Sequence, residues 1–373
     1  MKKAVVRNLH LLDFKNYPEA SLEFSPKVNV FVGNNGVGKT NVLDAIHYLS
    51  VTKSYFNPID SQNIRHDQPF MVIEGEFESE GGTDKIYCGL KRGQKKVFSK
   101  NKKEYEKLAD HIGEIPLVMI SPSDRDLILE GSETRRKFMD GVISQSDRVY
   151  LDDLLNYNKA LTQRNSLLKY FAKNNTFDSD QLSIYDEQLI ERGTRIHDRR
   201  KQFMDQLAPI MLSAYSSIAQ TDEPVSVEYA SKLNEMDMRQ ALQDALQKDR
   251  VLQYSSTGIH KDDLAFKLRD YPLKKVGSQG QQKTFTIALK LAQFEFLKEV
   301  TGRKPILLLD DIFDKLDETR VEAIVSMVND HRFGQIFITD THEERTGGIV
   351  KRIAEESKVF SVEAGGKITE LEG

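Results

Sequence analysis

Residues 33–40 read GNNGVGKT, which fits the phosphate-binding pattern G-x-x-x-x-G-K-[ST] at every fixed position. A loop of this kind aims successive backbone N–H groups and a helix N-terminus at phosphate oxygens, so Gly33, Gly36 and Gly38 must carry no side chain. Asn34, Asn35 and Val37 fill the variable positions, and Asn41 continues into the following helix. Lys39 is expected to neutralise the β- and γ-phosphates of ATP, and Thr40 to ligate Mg²⁺ through its hydroxyl. Such a site needs a carboxylate on a neighbouring strand, and PILLLDD at 305–311 has that shape. Asp310 ends an apolar run, where a buried carboxylate needs a cation, and is assigned to Mg²⁺; Asp311 follows and is assigned to polarising the attacking water. The plainer alternatives are a glycine-rich turn with a solvated lysine, and a strand ending in exposed acids. Lys39 and Asp310 stand 271 positions apart (310 minus 39), which requires a whole lobe between the two motifs.

A third candidate is GSQGQQK at 277–283, where Gly277 and Gly280 permit close backbone approach and Ser278 stands at a helix start. Phe285, Leu289, Ala292, Phe296 and Val300 mark the inward stripe of that helix. One side of ATP is already surrounded by the phosphate loop, so this surface most simply caps the γ-phosphate from a second subunit. The alternative is a helix cap that holds no ligand.

The stretch 85–107 carries nine basic residues against Glu104 and Glu106, a local charge of +7. Lys95, Lys96, Lys102 and Lys103 are the candidate DNA-phosphate contacts, and a solvated hairpin whose lysines block edge pairing is the alternative. Arg192, Arg195, Arg199, Arg200 and Lys201 could extend the track. Cys88, alternating within a strand, is expected in the core.

These groups must be positioned by a fold with a recognisable order. Strand-like runs fill the first 120 or so residues (4–12, 21–24, 27–32, 70–78, 85–90 and 117–120), and helix-favouring sequence runs from 124 to 248. Strands return at 306–309, 335–339, 359–362 and 367–371, with helix-like stretches at 283–300 and 317–330. The reading is an α/β protein in which one sheet-containing lobe, 1–123 plus 255–373, is built from both chain ends and a mainly helical lobe, 124–254, is inserted. A length of 373 residues with 19 Phe and 13 Tyr supports a large core, and the net charge of −4 excludes a wholesale basic coat. No apolar run is long enough for a membrane span, Arg7, His10 and Asp13 break any leader-like stretch, and one cysteine forms no internal disulfide, so a cytoplasmic protein with no membrane partner is expected.

Together GNNGVGKT, GSQGQQK, LLLDDIFDKLD at 307–317 and NLHLLDFKNY at 8–17 resemble the RecF family of DNA repair proteins, a branch of the ABC-type ATPases related to the heads of structural-maintenance-of-chromosomes proteins. The motifs occur in family order from Leu9 to His342, and the insert is too short for the long coiled-coil arms of the larger relatives. The resemblance implies that Ser278, Gln279, Gly280 and Gln281 form the signature that closes over the γ-phosphate from a second subunit. It also implies that Asp317 lies in the loop crossing between two ATP sites and that His342 senses the γ-phosphate. Two departures stand out: Asp314 occupies a place where serine is more usual, and Ser121 and Pro122 follow 117–120 where many ABC-type ATPases have a glutamine. The implied function is ATP-driven homodimerisation on gapped or stalled replication DNA, with weak DNA-stimulated hydrolysis, to help load the RecA recombinase with RecR and RecO. The alternatives are a structural clamp with vestigial hydrolysis and the energy-coupling ATPase of a transporter.

Overall fold

The run Val28–Val32 (VNVFV) is buried at all five positions, as a strand must be when both faces of its sheet are covered. In the computed structural model, which describes residues 2–79, 81–219, 223–312, 333–341 and 356–371, it sits inside a six-stranded sheet. The spatial order is Ile368–Leu371, Ser357–Val362, Val28–Val32, Ile336–Asp340, Ile306–Asp310 and Leu117–Ile120. Every neighbouring pair is parallel except the first. Both chain ends therefore contribute strands, and three motif-bearing strands lie side by side with their carboxyl ends together, the edge where open α/β sheets bind ligands.

A second six-stranded sheet is antiparallel and runs Tyr17–Glu23, Val5–Phe14, Phe70–Ser79, Gly82–Lys91, Val97–Lys100 and Lys103–Glu104. Its inward alternation (Val6, Leu9, Leu11, Ile73, Ile86, Cys88) packs in one cluster with Phe31, Leu308, Phe337 and Phe360 from the parallel sheet and with the apolar face of the helix Lys39–Val51. Cys88 lies in this core, where burial pushes its thiol pKa up to about 12 and leaves it chemically quiet. Fully buried Gln335 joins the sheets: its carboxamide accepts from the amide of Val6 at 2.7 Å and donates to the carbonyls of Val6 and Ser25.

The chain divides into two compact units, one of residues 1–124, 217–220 and 287–373, the other of 125–216 and 221–286. The second contains the helices Ser132–Ser144, Arg148–Asn174, Ser179–Ala219 and Met238–Leu252. It also holds a three-stranded antiparallel sheet, which moves the expected boundary at 254/255: Asp263–Leu268 pairs along its length with Val225–Ala230, drawing 255–286 into this unit. The stretch read as mainly helical contains a strand, VSVEYA, whose short alternation is lost among long helices. Buried Arg164 binds Asp186 and Asp249, and buried Arg200 binds Asp140 and Asp262, so the unit's interior is fastened by ion pairs. No helix among the described residues is long and apolar enough to cross a membrane. The helix-like stretch 317–330 lies outside the described residues.

Candidate nucleotide-binding site

The strand Val28–Val32 delivers the chain into the loop 33–38, which turns directly into the helix Lys39–Val51. Gly33 has φ 151° and Gly38 φ 118°, and a Cβ on either would stand 2.3 Å from the carbonyl oxygen of Val362 or the carboxamide nitrogen of Asn16. Both positions require glycine on backbone and steric grounds. The Lys39 ammonium, almost wholly buried, donates to the carbonyls of Gly33 at 2.7 Å and Asn34 at 2.8 Å, spanning the loop. Burial pulls its pKa down, opposed by the carboxylates of Asp311, Asp310 and Asp340.

Asp310 ends the strand Ile306–Asp310 beside this lysine and is almost entirely buried. Its Oδ1 accepts from the Thr40 hydroxyl at 2.6 Å and from the Thr339 hydroxyl at 2.9 Å, and Ser121 Oγ reaches Oδ2 at 3.4 Å. Burial raises its pKa, while the Thr40 and Thr339 hydroxyls work the other way. Asp311 has φ 46°, unusual for a residue with a side chain, and its amide donates to Thr339 Oγ1 at 2.9 Å. The structure thus places the phosphate-loop hydroxyl, the strand-end carboxylate and the acid after it close together.

Ser278–Gln281 belong to the second unit. There Ser278 Oγ accepts from the Gln281 amide at 3.2 Å while Gln281 Oε1 accepts from the Ser278 amide at 2.8 Å, a reciprocal cap at the start of the helix Gln279–Thr301. Ser278 and Gln279 are exposed, Gly280 and Gln281 half-buried. Phe285, Leu289, Ala292 and Phe296 face inward as expected, but Val300 is 50% exposed because the stripe has rotated off the core by the last turn. Asp317 and His342 lie outside the described residues.

The basic stretch forms an antiparallel hairpin whose two-residue turn, Asn101 and Lys102, has positive φ at both positions. Lys95, Lys102 and Lys103 are exposed there. Lys96, expected among the DNA contacts, turns inward instead: its ammonium meets Thr52 O at 2.6 Å, Asp60 Oδ2 at 2.9 Å and Tyr48 Oη at 3.1 Å, with its side chain 5% exposed. Lys85 pairs with Glu74, and Lys100 with Asp84 and Glu114, so acids distant in sequence reduce the +7. The arginine track is likewise engaged: Arg195 with Asp153 and Glu191, Arg199 with Asp147, and Arg200 in the interior.

Sequence reasoning missed Asn16, Tyr17, Ser121 and Thr339. Asn16 and Tyr17 sit within NLHLLDFKNY and hydrogen-bond the phosphate loop, Asn16 Nδ2 to Val37 O at 2.8 Å and Tyr17 Oη to Gly38 O at 2.9 Å. The motif was the signal, but its letters do not say what the side chains bind.

This fold and site define an ABC-type ATPase head, and the profile of the family described as RecF/RecN/SMC N terminal domain matches residues 5–366. An Smc head domain from Pyrococcus furiosus shares the fold at TM-score 0.57 and 15% identity, covering 99% of this chain and 96% of that one. A DNA replication and repair protein RecF from Flavobacterium johnsoniae is 57% identical over 96% of this chain and 99% of its own, and one from Phocaeicola vulgatus is 52% identical over 98% of each. A solved structure of the recombination mediator protein RecF with ATP, in the RecFOR pathway, aligns at TM-score 0.90 and 30% identity over 99% of this chain and 98% of that one. The chain belongs to the RecF family, and is a DNA repair ATPase of that type.

Proposed function

We propose that ATP binding closes a homodimer of this chain on DNA, and that slow, DNA-stimulated hydrolysis releases it. The observation that carries the reading is the 2.6 Å contact between Thr40 and buried Asp310 beside the Lys39-spanned loop. A desolvated carboxylate ringed by hydroxyls is an oxygen-only donor set suited to Mg²⁺, which characteristically combines one or two carboxylates with substrate phosphates. Mg²⁺ there would neutralise charge on the β- and γ-phosphates. In this reading residues 33–41 hold the triphosphate and Asp311 orients water. Ser278, Gln279, Gly280 and Gln281 of a second copy complete the site, with Asp317 and His342 in the roles their family positions imply. Lys95, Lys102 and Lys103 contact DNA phosphates. Family membership supports gapped or stalled replication DNA as the target, RecR and RecO as partners and recombinase loading as the outcome.

The test separates binding from chemistry. Asp311→Asn should retain ATP affinity and accumulate the closed dimer with turnover reduced at least about a hundredfold, whereas Lys39→Ala should lose affinity itself. Measured by nucleotide titration and sedimentation, an equal loss of affinity in both variants would reject this division of roles.

A further inference from the structure

Asn16 and Tyr17 close a tight connection between the strands Val5–Phe14 and Tyr17–Glu23, in which Phe14 pairs with Tyr17. The connection is riveted to the phosphate-loop helix by Lys15, whose ammonium lies 2.5 Å from the fully buried carboxylate of Asp44. From there Asn16 Nδ2 donates to Val37 O at 2.8 Å and Tyr17 Oη donates to Gly38 O at 2.9 Å. The Val37 carbonyl can only accept, which fixes Asn16 Nδ2 on its side and leaves Oδ1 to accept from Asn41 Nδ2 at 2.7 Å. Tyr17 has no exposed surface, and burial raises its phenol pKa, so the hydroxyl remains a donor. Gly38 and Gly366 form the walls: a Cβ on Gly38 would strike the Asn16 carboxamide, and one on Gly366 would lie 2.9 Å from the Tyr17 ring.

A trans peptide unit is planar, with its C=O and N–H pointing in opposite directions. The Val37 carbonyl shares a unit with the Gly38 amide, and the Gly38 carbonyl with the Lys39 amide. We propose that Asn16 and Tyr17 are positioning residues for phosphate recognition: by holding these two carbonyls they aim the amides of Gly38 and Lys39 away from the hairpin and toward the triphosphate. The inference rests on the ATP reading above and deepens it, since it extends the phosphate site to two side chains outside the glycine-rich loop. Only the phosphate-bearing part of a nucleotide gains from the arrangement.

The experiment titrates ATP, ADP and adenosine, in Mg²⁺, into the full chain and into Tyr17→Phe and Asn16→Ala, with folding verified by thermal unfolding. Loss of one such hydrogen bond should weaken ATP and ADP about five- to tenfold in each variant and leave adenosine within about twofold. Unchanged ATP affinity in both folded variants, or an equal loss for adenosine, would overturn the proposal. A second measurement needs no variant: in the ¹⁵N-glycine-labelled chain the Gly38 amide proton should move downfield when ATP binds, and its failure to move overturns the proposal even if both variants unfold. A wild-type chain that bound no ATP would defeat the nucleotide reading itself, whereas wild-type binding with unaffected variants would defeat only the role of this pair.

Discussion

Lys96 and Lys102 belong to one lysine-rich stretch and meet opposite environments, one clasped by Thr52, Asp60 and Tyr48, the other at the tip of a turn. Charge density in a linear window cannot tell them apart, because the acids that claim Lys96 and Lys100 lie 36 and 14 or more positions away. Replacing Lys95, Lys102 and Lys103 by Gln should weaken DNA binding regardless of sequence and reduce the log–log salt slope by up to about 3. Lys96→Gln should leave that slope alone and instead cost on the order of 2 kcal/mol of stability, read from denaturant unfolding. An unaltered slope in the triple variant returns the hairpin to a merely solvated edge. Titration gives a second residue-scale expectation. Burial holds the pKa of His260 down at about 4 from an ordinary 6.5, with both ring nitrogens engaged by Tyr157 Oη and Ser255 O. The unfolded chain therefore takes up a proton that the folded one refuses, and stability falls as pH drops from about 6.5 toward 4, by about 3 kcal/mol, then levels. His260→Gln should make that part of the stability–pH curve shallower, the remainder coming from His47, which burial also holds down at about 4; a curve identical to wild type would exclude His260 as a source.

At the scale of elements, the strand–loop–helix around GNNGVGKT was legible because its chemistry is local: the glycines, the lysine and the hydroxyl act within eight consecutive residues. The pairing of Thr40 with Asp310 was legible for a different reason, since a carboxylate at the end of an apolar strand has few stable alternatives. The roles of Asn16 and Tyr17 were not legible, because they serve backbone carbonyls 21 positions away and the motif that holds them does not say what they bind. The same holds for the strand Val225–Ala230, whose partner Asp263–Leu268 is supplied by a distant segment. The signature helix carries its own prediction. With Ser278 and Gln281 capping each other, Ser278→Ala should destabilise the fold by about 1 kcal/mol, and Gln281→Ala by at least as much, since it also loses the Nε2 contact to Glu223 Oε1 at 2.8 Å. Thermal unfolding of the two variants in the absence of nucleotide checks this, and an effect near zero for both would show that the cap is not formed in solution.

For the whole molecule, the proposed assembly predicts a mixing result. Lys39→Ala spoils the phosphate loop and Ser278→Arg spoils the signature, so either homodimer has two damaged sites. In a mixed dimer one site carries both lesions and the other carries neither, and equal mixing should restore up to about a quarter of normal turnover. A covalently linked mixed dimer should show the same single competent site. If both residues served one ATP within a chain, mixing would restore nothing. The order of strands in the parallel sheet has a consequence for how the protein is made. Val28–Val32 takes its neighbours from Ile336–Asp340 and Ser357–Val362, so the first pairing, Val28 with Ile336, waits for 308 further residues (336 minus 28) to leave the ribosome. At roughly 5–20 residues per second this ribbon, apolar but for Asn29, spends on the order of 15 to 60 seconds without its sheet. During translation the antiparallel sheet, whose strands all lie within the first 104 residues, is the earliest surface able to shelter it. Thr40 and Asp310 can therefore be brought together in a finished sheet only after Ile336–Asp340 has been made, so the ATP site forms late in synthesis although its phosphate loop is made early.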